Sequence, residues 1–341
     1  MSRIENILYV FTMGSYLSKN HDSIVVTVNG EKKVQVPIIQ LEGVVVATGA
    51  GISPDLLGAL MDANVYVAFF TSSGRFQGRC EGMPGGGIVL RKAHHAAAID
   101  TAKKLRIARA FVIGKVASQR RQLRRAAREA AGDLAVKLDK SANHLAAMSR
   151  RALDVDSVDE ARGVEGAAAA EYFGVFGEFI KADGGFSFTT RSRRPPKDPV
   201  NAMLSFGYAL LMRDCAAALA GAGLDPALGF LHEDRPGRLG LALDLMEEFR
   251  VPVVDRLVLS LINRGQVTVD GFTKRDDESW EMADATRREF VSAYQKAKQQ
   301  EIQHIFLGQD AIWGMAPHLQ ARLLARTIRG ELDDYPPFEV R

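Results

Sequence analysis

A chain of 341 residues exceeds what one hydrophobic core usually organises, so two domains are expected. Its hydrophobic content of 47%, mean hydropathy of -0.06 and net charge of +3 are those of an ordinary soluble globular protein. No apolar run reaches the roughly 20 residues that span a bilayer, and Cys80 and Cys215 are too few for a disulfide framework or a cysteine zinc site. We therefore predict a reduced, cytoplasmic protein that is not bound to a membrane.

Residues 1–82 are predicted to form a β-rich domain of the sandwich or roll type. Apolar, β-branched and aromatic runs mark its strands at 24–28, 33–36, 44–47, 65–70 and 76–80. Asn29-Gly30, between the first two runs, is typical of a type I′ hairpin turn. Ser53-Pro54 is typical of a helix cap followed by proline, and it predicts a short helix through Met61. Pro54 also stands where a dinucleotide-binding motif needs its third glycine, so no such cofactor is expected.

A glycine-rich segment at 83–90 is predicted to link this domain to a larger, all-α catalytic domain at 91–334. Beyond the linker, Ala, Leu and Arg recur at the three- and four-residue spacing that is typical of helices. The ending Y-P-P-F-E-V-R cannot be helical, so residues 335–341 are expected to form a tail. The predicted fold class is therefore α+β, with a β-rich domain followed by a helical one.

The start of the helical region is strongly basic. Residues 91–128 hold many lysines and arginines but a single acid, Asp100. On a helix, the last arginines of this run form a stripe at i,i+4 spacing: Arg120, Arg121, Arg124, Arg125 and Arg128. Like charges at this spacing repel one another by about 0.2–0.5 kcal/mol per pair. A stripe kept against that repulsion indicates a track for DNA phosphates, and a solvated helix face is the alternative.

A second basic element lies at residues 190–208. Arg191, Arg193 and Arg194 precede two prolines that forbid a helix, so their guanidinium groups are expected on an extended loop. Asp198-Pro199 then predicts the start of a helix whose N-terminus could add N–H donors for a phosphate. We predict that this element also binds DNA, with Asn201 and Tyr208 of the new helix among the contacts.

Four acidic or imidazole side chains lie within or beside apolar runs, where an unpaired charge is costly: Glu165, His232, Asp244 and Glu247. One imidazole with several carboxylates suits Mg²⁺ or Mn²⁺ better than zinc, because hard oxygen ligands dominate. Taken singly, each residue has a plainer explanation. A glutamate at the start of an Ala-rich helix (166–173) complements the helix dipole, and a lone histidine is more often a core residue. The four act together only if the fold brings their segments together.

Four segments resemble one known family: G-V-E-G-A-A-A-A-E-Y-F, R-R-P-P-K-D-P-V-N-A-M-L-S-F-G-Y, G-F-L-H-E-D-R-P-G-R-L-G-L-A-L-D-L-M-E-E-F-R and the early L-E-G-V-V-V. They are similar to those of the CRISPR-associated spacer-acquisition integrases, the Cas "one" endonucleases, and the likeness covers essentially the whole chain. The Y-P-P-F ending is similar to members from type I systems. The resemblance implies a dimer through the β domain, a helical catalytic domain, and a complex with a small Cas "two" protein.

The resemblance also implies a divalent metal, Mg²⁺ or Mn²⁺, held by Glu165, His232 and Glu247, with Asp244 as a neighbouring catalytic carboxylate. Such a site would join a protospacer 3′-hydroxyl to a CRISPR repeat border by transesterification, and the reverse reaction would resolve branched DNA. Two alternatives stay open: a metal-dependent nuclease of branched DNA without integration, and a non-catalytic architectural DNA-binding protein. Residue spacing does not separate Asp244 from Glu247 as the metal ligand, because one helical turn places both on the same side.

Overall fold

The computed structural model describes residues 7–10, 12–41, 43–47, 49–70, 76–80, 82, 87–181 and 185–339. The chain divides into two compact units, Met1–Lys92 and Ala93–Arg341. Within the segment predicted as a linker, residues 83–86 lie outside the described residues, and 87–90 already belong to a helix.

Over its described residues, the first unit contains two four-stranded sheets, one complete helix and the start of a second helix that continues into the other unit. Its elements in chain order are β1 (Ile7–Val10), β2 (Ser15–Asn20), β3 (Ser23–Val28), β4 (Glu31–Pro37), β5 (Gly43–Ala47), β6 (Gly51–Ile52), α1 (Pro54–Asp62), β7 (Tyr66–Phe70) and β8 (Phe76–Cys80). One sheet has the order β1-β5-β7-β8 and the other β4-β3-β2-β6. Both sheets and α1 contribute to a single hydrophobic core, in which Leu17, Ile24 and Leu56 are fully buried. The predicted β-rich character of this region is confirmed.

Local sequence signals in this unit produce the expected structure. Asn29 and Gly30 have φ angles of 52° and 85°, the left-handed values that a type I′ turn requires, and they join β3 to β4. The Ser53 hydroxyl accepts a hydrogen bond from the backbone N–H of Leu56 at 3.2 Å and so caps α1.

The second unit is mainly helical. Its helices in chain order, counting the one that spans the boundary, are α2 (Gly87–Ile99), α3 (Thr101–Glu129), α4 (Gly132–Asp154), α5 (Val158–Gly174), α6 (Pro199–Gly221), α7 (Gly240–Met246), α8 (Arg256–Asn263), α9 (Asp284–Lys298) and α10 (Ala316–Ile328). Two short antiparallel hairpins interrupt them: β9 (Phe272–Lys274) with β10 (Trp280–Met282), and β11 (Glu301–His304) with β12 (Gln309–Ile312). The expectation of an all-α domain is corrected here, since strands of three or four residues are too short for their alternation to be recognised.

Two long helices, α3 and α6, carry or border the functional residues. In the middle of α3, all residues from Ala110 to Gln119 are buried except Ile113 and Ala117, which are partly exposed. Helices α4 and α5 pack against α3. Asp198 caps α6 by accepting from Asn201 N–H at 2.7 Å, and Pro199 is the first helical residue, as predicted. By length and composition α6 could cross a membrane, which corrects the expectation that no segment qualifies. However, 67% of its most apolar stretch is buried inside the unit, as in a core helix.

Candidate active site

Glu165 meets a buried lysine of another helix. Because Ser157 caps α5 and the helix begins at Val158, Glu165 lies in its middle, not at its start as the sequence suggested. Its Oε1 forms an ion pair with Nζ of Lys115 on α3, whose side chain is only 3% exposed. The carboxylate itself is 22% exposed. The Glu165 side chain thus stays partly exposed while one of its oxygens pairs with a buried cation.

Glu247, directly after α7, pairs with the same lysine. Its Oε2 lies 2.7 Å from Lys115 Nζ and 2.8 Å from Arg250 Nε, and its Oε1 accepts from Arg250 Nη2 at 3.0 Å. Neither contact of Oε2 has the geometry of a hydrogen bond, although the atom is buried. Burial disfavours the ionised carboxylate, but the charges of Arg250, Lys115 and His232 outweigh it and hold the pKa of Glu247 well below its ordinary value.

Asp244 fixes the loop that carries His232. Its Oδ2 accepts from the N–H groups of Phe230 and Leu231 at 2.7 and 3.0 Å. Its Oδ1 accepts from the His232 N–H at 2.9 Å and lies 2.6 Å from Nδ1 of the His232 ring. The carboxylate is fully buried and has no free oxygen. Because Nδ1 faces a carboxylate, it carries a ring proton, so Nε2 is the nitrogen that can accept when the ring is neutral.

Two glycines permit this close approach. A Cβ on Gly229 would meet the Gly240 carbonyl carbon at 2.9 Å and Asp244 Oδ2 at 3.0 Å. A Cβ on Gly240 would meet the Ala227 carbonyl oxygen at 2.8 Å. The loop before His232 can therefore lie against the first turn of α7 only because neither position has a side chain.

A π-helical turn follows Glu247 and spans Arg250–Asp255. Pro252 within it has no N–H, so the ordinary α-helical partner of the Glu248 carbonyl is missing. The Ser118 hydroxyl of α3 lies 3.4 Å from that carbonyl oxygen and donates to it. The turn places the Arg250 guanidinium 4.4 Å above the ring of Tyr208. Arg250 is thus held between an aromatic face and the Glu247 carboxylate.

The site opens into a groove of about 900 Å³. Its wall includes His232 and a set of arginines: Arg191, Arg193, Arg194, Arg235, Arg238 and Arg250. So many guanidinium groups around one groove favour a polyanionic ligand. The predicted extended loop supplies Arg193 and Arg194 as exposed side chains, whereas Arg235 and Arg238 follow His232 and were not foreseen.

Two residues predicted to contact DNA are buried instead. Asn201 is 0% exposed, and its Oδ1 accepts from Arg191 Nη1 at 2.6 Å and from the Ser192 N–H at 3.0 Å. Tyr208 donates its hydroxyl to Asp255 at 2.5 Å and presents its ring to Arg191, 5.4 Å away. Asn201 holds the arginine loop to α6 from inside the unit, whereas Tyr208, although buried, is among the residues that line the groove.

The arginine stripe of α3 is divided between exposed and paired side chains. Arg120, Arg121 and Arg128 are exposed. Arg124 is paired with Asp139 of α4 and donates to Asn143 at 2.9 Å, and Arg125 pairs with Glu129 at 3.2 Å. Arg120, Arg124 and Arg128 line a cleft of about 930 Å³ between α3 and α4. The stripe lies apart from the groove at His232, so two separate basic surfaces exist in this unit.

The C-terminal segment packs behind Glu247 and is not a loose tail over its described part. Tyr335 and Phe338 are 3% and 1% exposed. The Tyr335 hydroxyl donates to Oε2 of Glu248 at 2.7 Å, and the Phe338 N–H donates to Oε1 at 3.0 Å. Gln320 of α10 donates to the Pro336 carbonyl at 3.0 Å. Residues 340–341 lie outside the described residues.

The four predicted catalytic residues therefore lie in one region of the helical unit. Glu165 and Glu247 meet at Lys115, Asp244 holds His232, and His232 is close enough to Glu247 for its charge to lower that pKa. Within the part of the chain that the structure describes, no three His, Cys, Asp or Glu side chains stand at metal-ligating spacing. The three-ligand metal site remains a prediction, and a lysine ammonium lies where the two glutamates converge.

Sequence reasoning missed Lys115 and Arg250. Arg250 stands three residues after Glu247, a spacing that brings opposite charges together on a helix. Lys115 was grouped with the basic run, although it is the lone charge in the apolar stretch A-F-V-I-G-K-V-A. The criterion that singled out Glu165, a charge within an apolar run, would have found it.

Known proteins of similar sequence and similar fold match nearly the full length of this chain. A family model described as CRISPR associated protein Cas1 matches residues 8–296. The chain is 44% identical to CRISPR-associated endonuclease Cas1 2 of Rhodospirillum rubrum, covering 99% of each chain. A partial Cas6-RT-Cas1–Cas2 complex has a chain of the same fold, with a TM-score of 0.79, 22% identity and 98% of each chain covered. A casposase bound to integration product gives a TM-score of 0.77 at 23% identity, over 98% of this chain and 99% of that one. This protein belongs to the CRISPR-associated Cas1 family.

Proposed function

We propose that this chain is a divalent-metal-dependent DNA endonuclease and integrase. It joins the 3′-hydroxyl ends of protospacer DNA to CRISPR repeat borders by transesterification. One observation carries the proposal: two glutamates converge on a buried cation beside a fixed histidine, and that histidine lines an arginine-rich groove. The named relative from Rhodospirillum rubrum is an endonuclease, and the casposase of the same fold is bound to an integration product, which supports this reaction class.

The chemical types of the donors, two carboxylates and an imidazole, suit a divalent cation, although with Lys115 between the glutamates they do not stand at ligating spacing. The Lys115 ammonium already occupies the position between Glu165 and Glu247, so the arrangement of the carboxylates suits a positive ion. Glu247 Oε2 is buried without a hydrogen bond, and Nε2 of His232 is free of the Asp244 contact. Glu165, His232 and Glu247 would hold Mg²⁺ or Mn²⁺. When bound, such an ion activates the attacking hydroxyl and stabilises charge on the phosphate oxygens.

The protein's own residues bind and orient the DNA around this point. Arg193 and Arg194 stand exposed on the groove wall and are placed to pair with phosphates. Arg250 cannot leave Glu247 easily, because the Tyr208 ring covers its other face at 4.4 Å. It therefore offers a fixed positive charge where negative charge develops on the scissile phosphate.

The exposed arginines are proposed to contact phosphate and not bases. Replacing Arg193 by Gln should weaken binding to unrelated DNA sequences alike and reduce the slope of log affinity against log salt by about one. Arg128→Gln, on the α3 stripe, tests the second basic surface in the same way. An unchanged slope would mean that the residue in question is only solvated.

Assembly is proposed from the first unit. The edge strand β4 is largely exposed, and Ile39 beside it is 94% exposed. Such an edge needs cover, so we propose a homodimer through residues 1–80, with a small Cas "two" protein as the further partner and the cytoplasm as the location. Sedimentation of the full chain at micromolar concentration should give a dimer, and a monomer would contradict this.

The reaction is tested by strand transfer from a 3′-OH oligonucleotide into supercoiled repeat DNA in the presence of Mn²⁺ or Mg²⁺. Glu165→Gln and His232→Asn should lose joined product while keeping DNA affinity, and the exposed Glu289→Gln is the matched control. Cleavage without joined product would favour a nuclease of branched DNA. If the wild type binds DNA but gives neither cleaved nor joined product, the chain is an architectural DNA-binding protein.

A further inference from the structure

Lys115 is the most buried cation of the site. Its side chain is 3% exposed, and it projects from α3 between residues that are themselves buried, including Val112, Gly114 and Val116. A buried ammonium is costly unless it is paired. Among the residues that the structure describes, Lys115 meets this requirement through two ion pairs, with Glu165 and with Glu247.

Glu165 and Glu247 are also the two carboxylates that the proposed function assigns to the metal. The inference therefore rests on the proposed function. An ammonium ion and a divalent cation cannot share the same carboxylate oxygens, since like charges at such a distance repel strongly in a buried site. Oε1 of Glu165 and Oε2 of Glu247 therefore hold either Nζ of Lys115 or a metal ion.

The neighbouring groups have contacts outside Glu165 and Glu247, which Lys115 does not show among the described residues. Arg250 is fixed between Glu247 and the Tyr208 ring, and His232 is fixed by Asp244. Lysine carries a compact charge on a flexible four-carbon stem, so its ammonium can withdraw while its backbone stays in α3. Among the charges that surround Glu247, Lys115 is the one that can make room.

We propose that Lys115 is a tethered counter-ion of the metal site. It neutralises Glu165 and Glu247 when no divalent ion is present, and an incoming ion must displace it. The lysine thereby keeps the empty site folded and sets the metal affinity lower than the carboxylates alone would give. Its role is that of a positioning residue, because it acts through the metal ligands.

The test is Mn²⁺ binding to the full chain, measured by calorimetry without DNA. Lys115→Met removes both the competitor and its repulsion of the ion, so Mn²⁺ should bind about tenfold more tightly or better. Lys115→Arg keeps a charge at the site and should not bind more tightly than the wild type. The exposed Lys296→Met is the control for the same chemical change elsewhere. Unchanged or weaker binding by Lys115→Met would overturn the proposal.

Thermal unfolding gives a second reading that does not depend on activity. Without metal, Lys115→Met leaves two carboxylates close together without their shared cation, so its melting temperature should fall. Saturating Mn²⁺ should then raise the melting temperature of Lys115→Met more than that of the wild type. An equal rise in both proteins contradicts a counter-ion role.

A measurement on the wild-type protein covers the case in which Lys115→Met does not fold. Amine labelling followed by mass spectrometry should modify Lys115 poorly without metal and clearly faster with Mn²⁺. Labelling that does not respond to Mn²⁺ would overturn displacement. Glu165→Gln separates this inference from the proposed function: if it binds Mn²⁺ as well as the wild type, the ligand set itself is wrong. If it loses Mn²⁺ while Lys115→Met gains nothing, only the counter-ion role fails.

Discussion

Glu247 and Glu248 are adjacent buried carboxylates that face two different regions of the helical unit. On the groove side, Glu247 is surrounded by the cations Lys115 and Arg250, which keep its pKa low. On the tail side, Glu248 is met by the neutral donors of Tyr335, Phe338 and Gln320, and burial raises its pKa to about 7. Burial acts on both glutamates in the same direction. Cations outweigh it at Glu247 and neutral donors do not outweigh it at Glu248, so the partners decide in which direction each pKa shifts.

Helix α3 serves both regions with consecutive residues. Lys115 faces Glu247, while a Cβ on Gly114 would meet Oε1 of Glu248 at 2.8 Å and Cβ of Pro337 at 3.3 Å. The glycine lets the tail approach α3, and the lysine beside it supplies the charge for the groove. We infer that the groove side serves the chemistry and the tail side holds the segment that carries it.

The largest expected effect separates the two glutamates. Glu247→Gln should leave DNA affinity intact but give no measurable metal-dependent strand transfer, because the proposed metal site would lose a direct ligand. Glu248→Gln keeps the carbonyl acceptor on the tail side, and its strand transfer should stay within about tenfold of the wild type. If Glu248→Gln is the inactive protein, the assignment of the two faces is reversed.

Asp244→Asn tests the groove side indirectly, because Asp244 acts by holding His232. Asn at this position cannot accept from the loop N–H groups and the His232 ring as the carboxylate does, so His232 loses its fixed orientation. The strand-transfer rate or the Mn²⁺ affinity should fall by about 10–100-fold, the usual cost of losing a support for a metal ligand. Complete loss in Asp244→Asn with residual activity in Glu247→Gln would mean that Asp244, and not Glu247, holds the metal.

The pKa of Asp255 shows whether the positive charges of Arg250 and Arg191 affect a carboxylate behind the Tyr208 ring. Asp255 is 1% exposed and bonded to the Tyr208 hydroxyl, and burial raises its pKa from 3.8 to about 6. The folded protein therefore keeps a proton that the unfolded chain releases between these values. The corresponding stability is fully present below pH 3.8 and is lost as the pH rises through 6, by about 3 kcal/mol in all.

Asp255→Asn should remove this pH dependence. Chemical denaturation of wild type and variant at a series of pH values between 4 and 7 measures the difference. The opposite outcome is a free energy of unfolding that rises from pH 4 to pH 7 in the wild type relative to Asp255→Asn. It would show that the charges of Arg250 and Arg191 keep Asp255 ionised across the Tyr208 ring.

Tyr335→Phe tests the tail side and carries the smallest effect. It removes one hydroxyl that donates to Glu248 and accepts from Gln320 Nε2 at 2.7 Å. Loss of a buried hydrogen-bonding group should lower the free energy of unfolding by about 1–3 kcal/mol. Mn²⁺ affinity should stay that of the wild type, since Glu247 makes its contacts on the other face. A matching loss of Mn²⁺ affinity would show that the two faces are coupled.

Much of the architecture could be predicted from local patterns. The Asn29-Gly30 hairpin, the Ser53-Pro54 helix start and the Asp198-Pro199 cap depend on residues that are neighbours in the chain, so their geometry is determined by local backbone preferences. The short hairpins after α8 were missed, because strands of three or four residues gain their stability from packing and not from a sequence period.

The candidate residues Glu165, His232, Asp244 and Glu247 could be chosen from the sequence, because a charge within an apolar run needs a partner wherever the chain folds. Their partners could not be chosen in the same way. Lys115 is fifty positions from Glu165 in the chain, and only the packing of α3 against α5 brings the two together.

The sequence by itself thus determined the order of a β-rich region followed by a helical one, several caps and turns, and the identity of the charged residues that need burial. The tertiary structure decided which of those charges meet. It turned Asn201 and Tyr208 inward to hold arginines, and it placed Glu247 among cations but Glu248 among hydroxyl and amide donors. The physical reason is that caps and turns depend on contacts between near neighbours, whereas the charge state of a buried group depends on the partners that distant segments place around it.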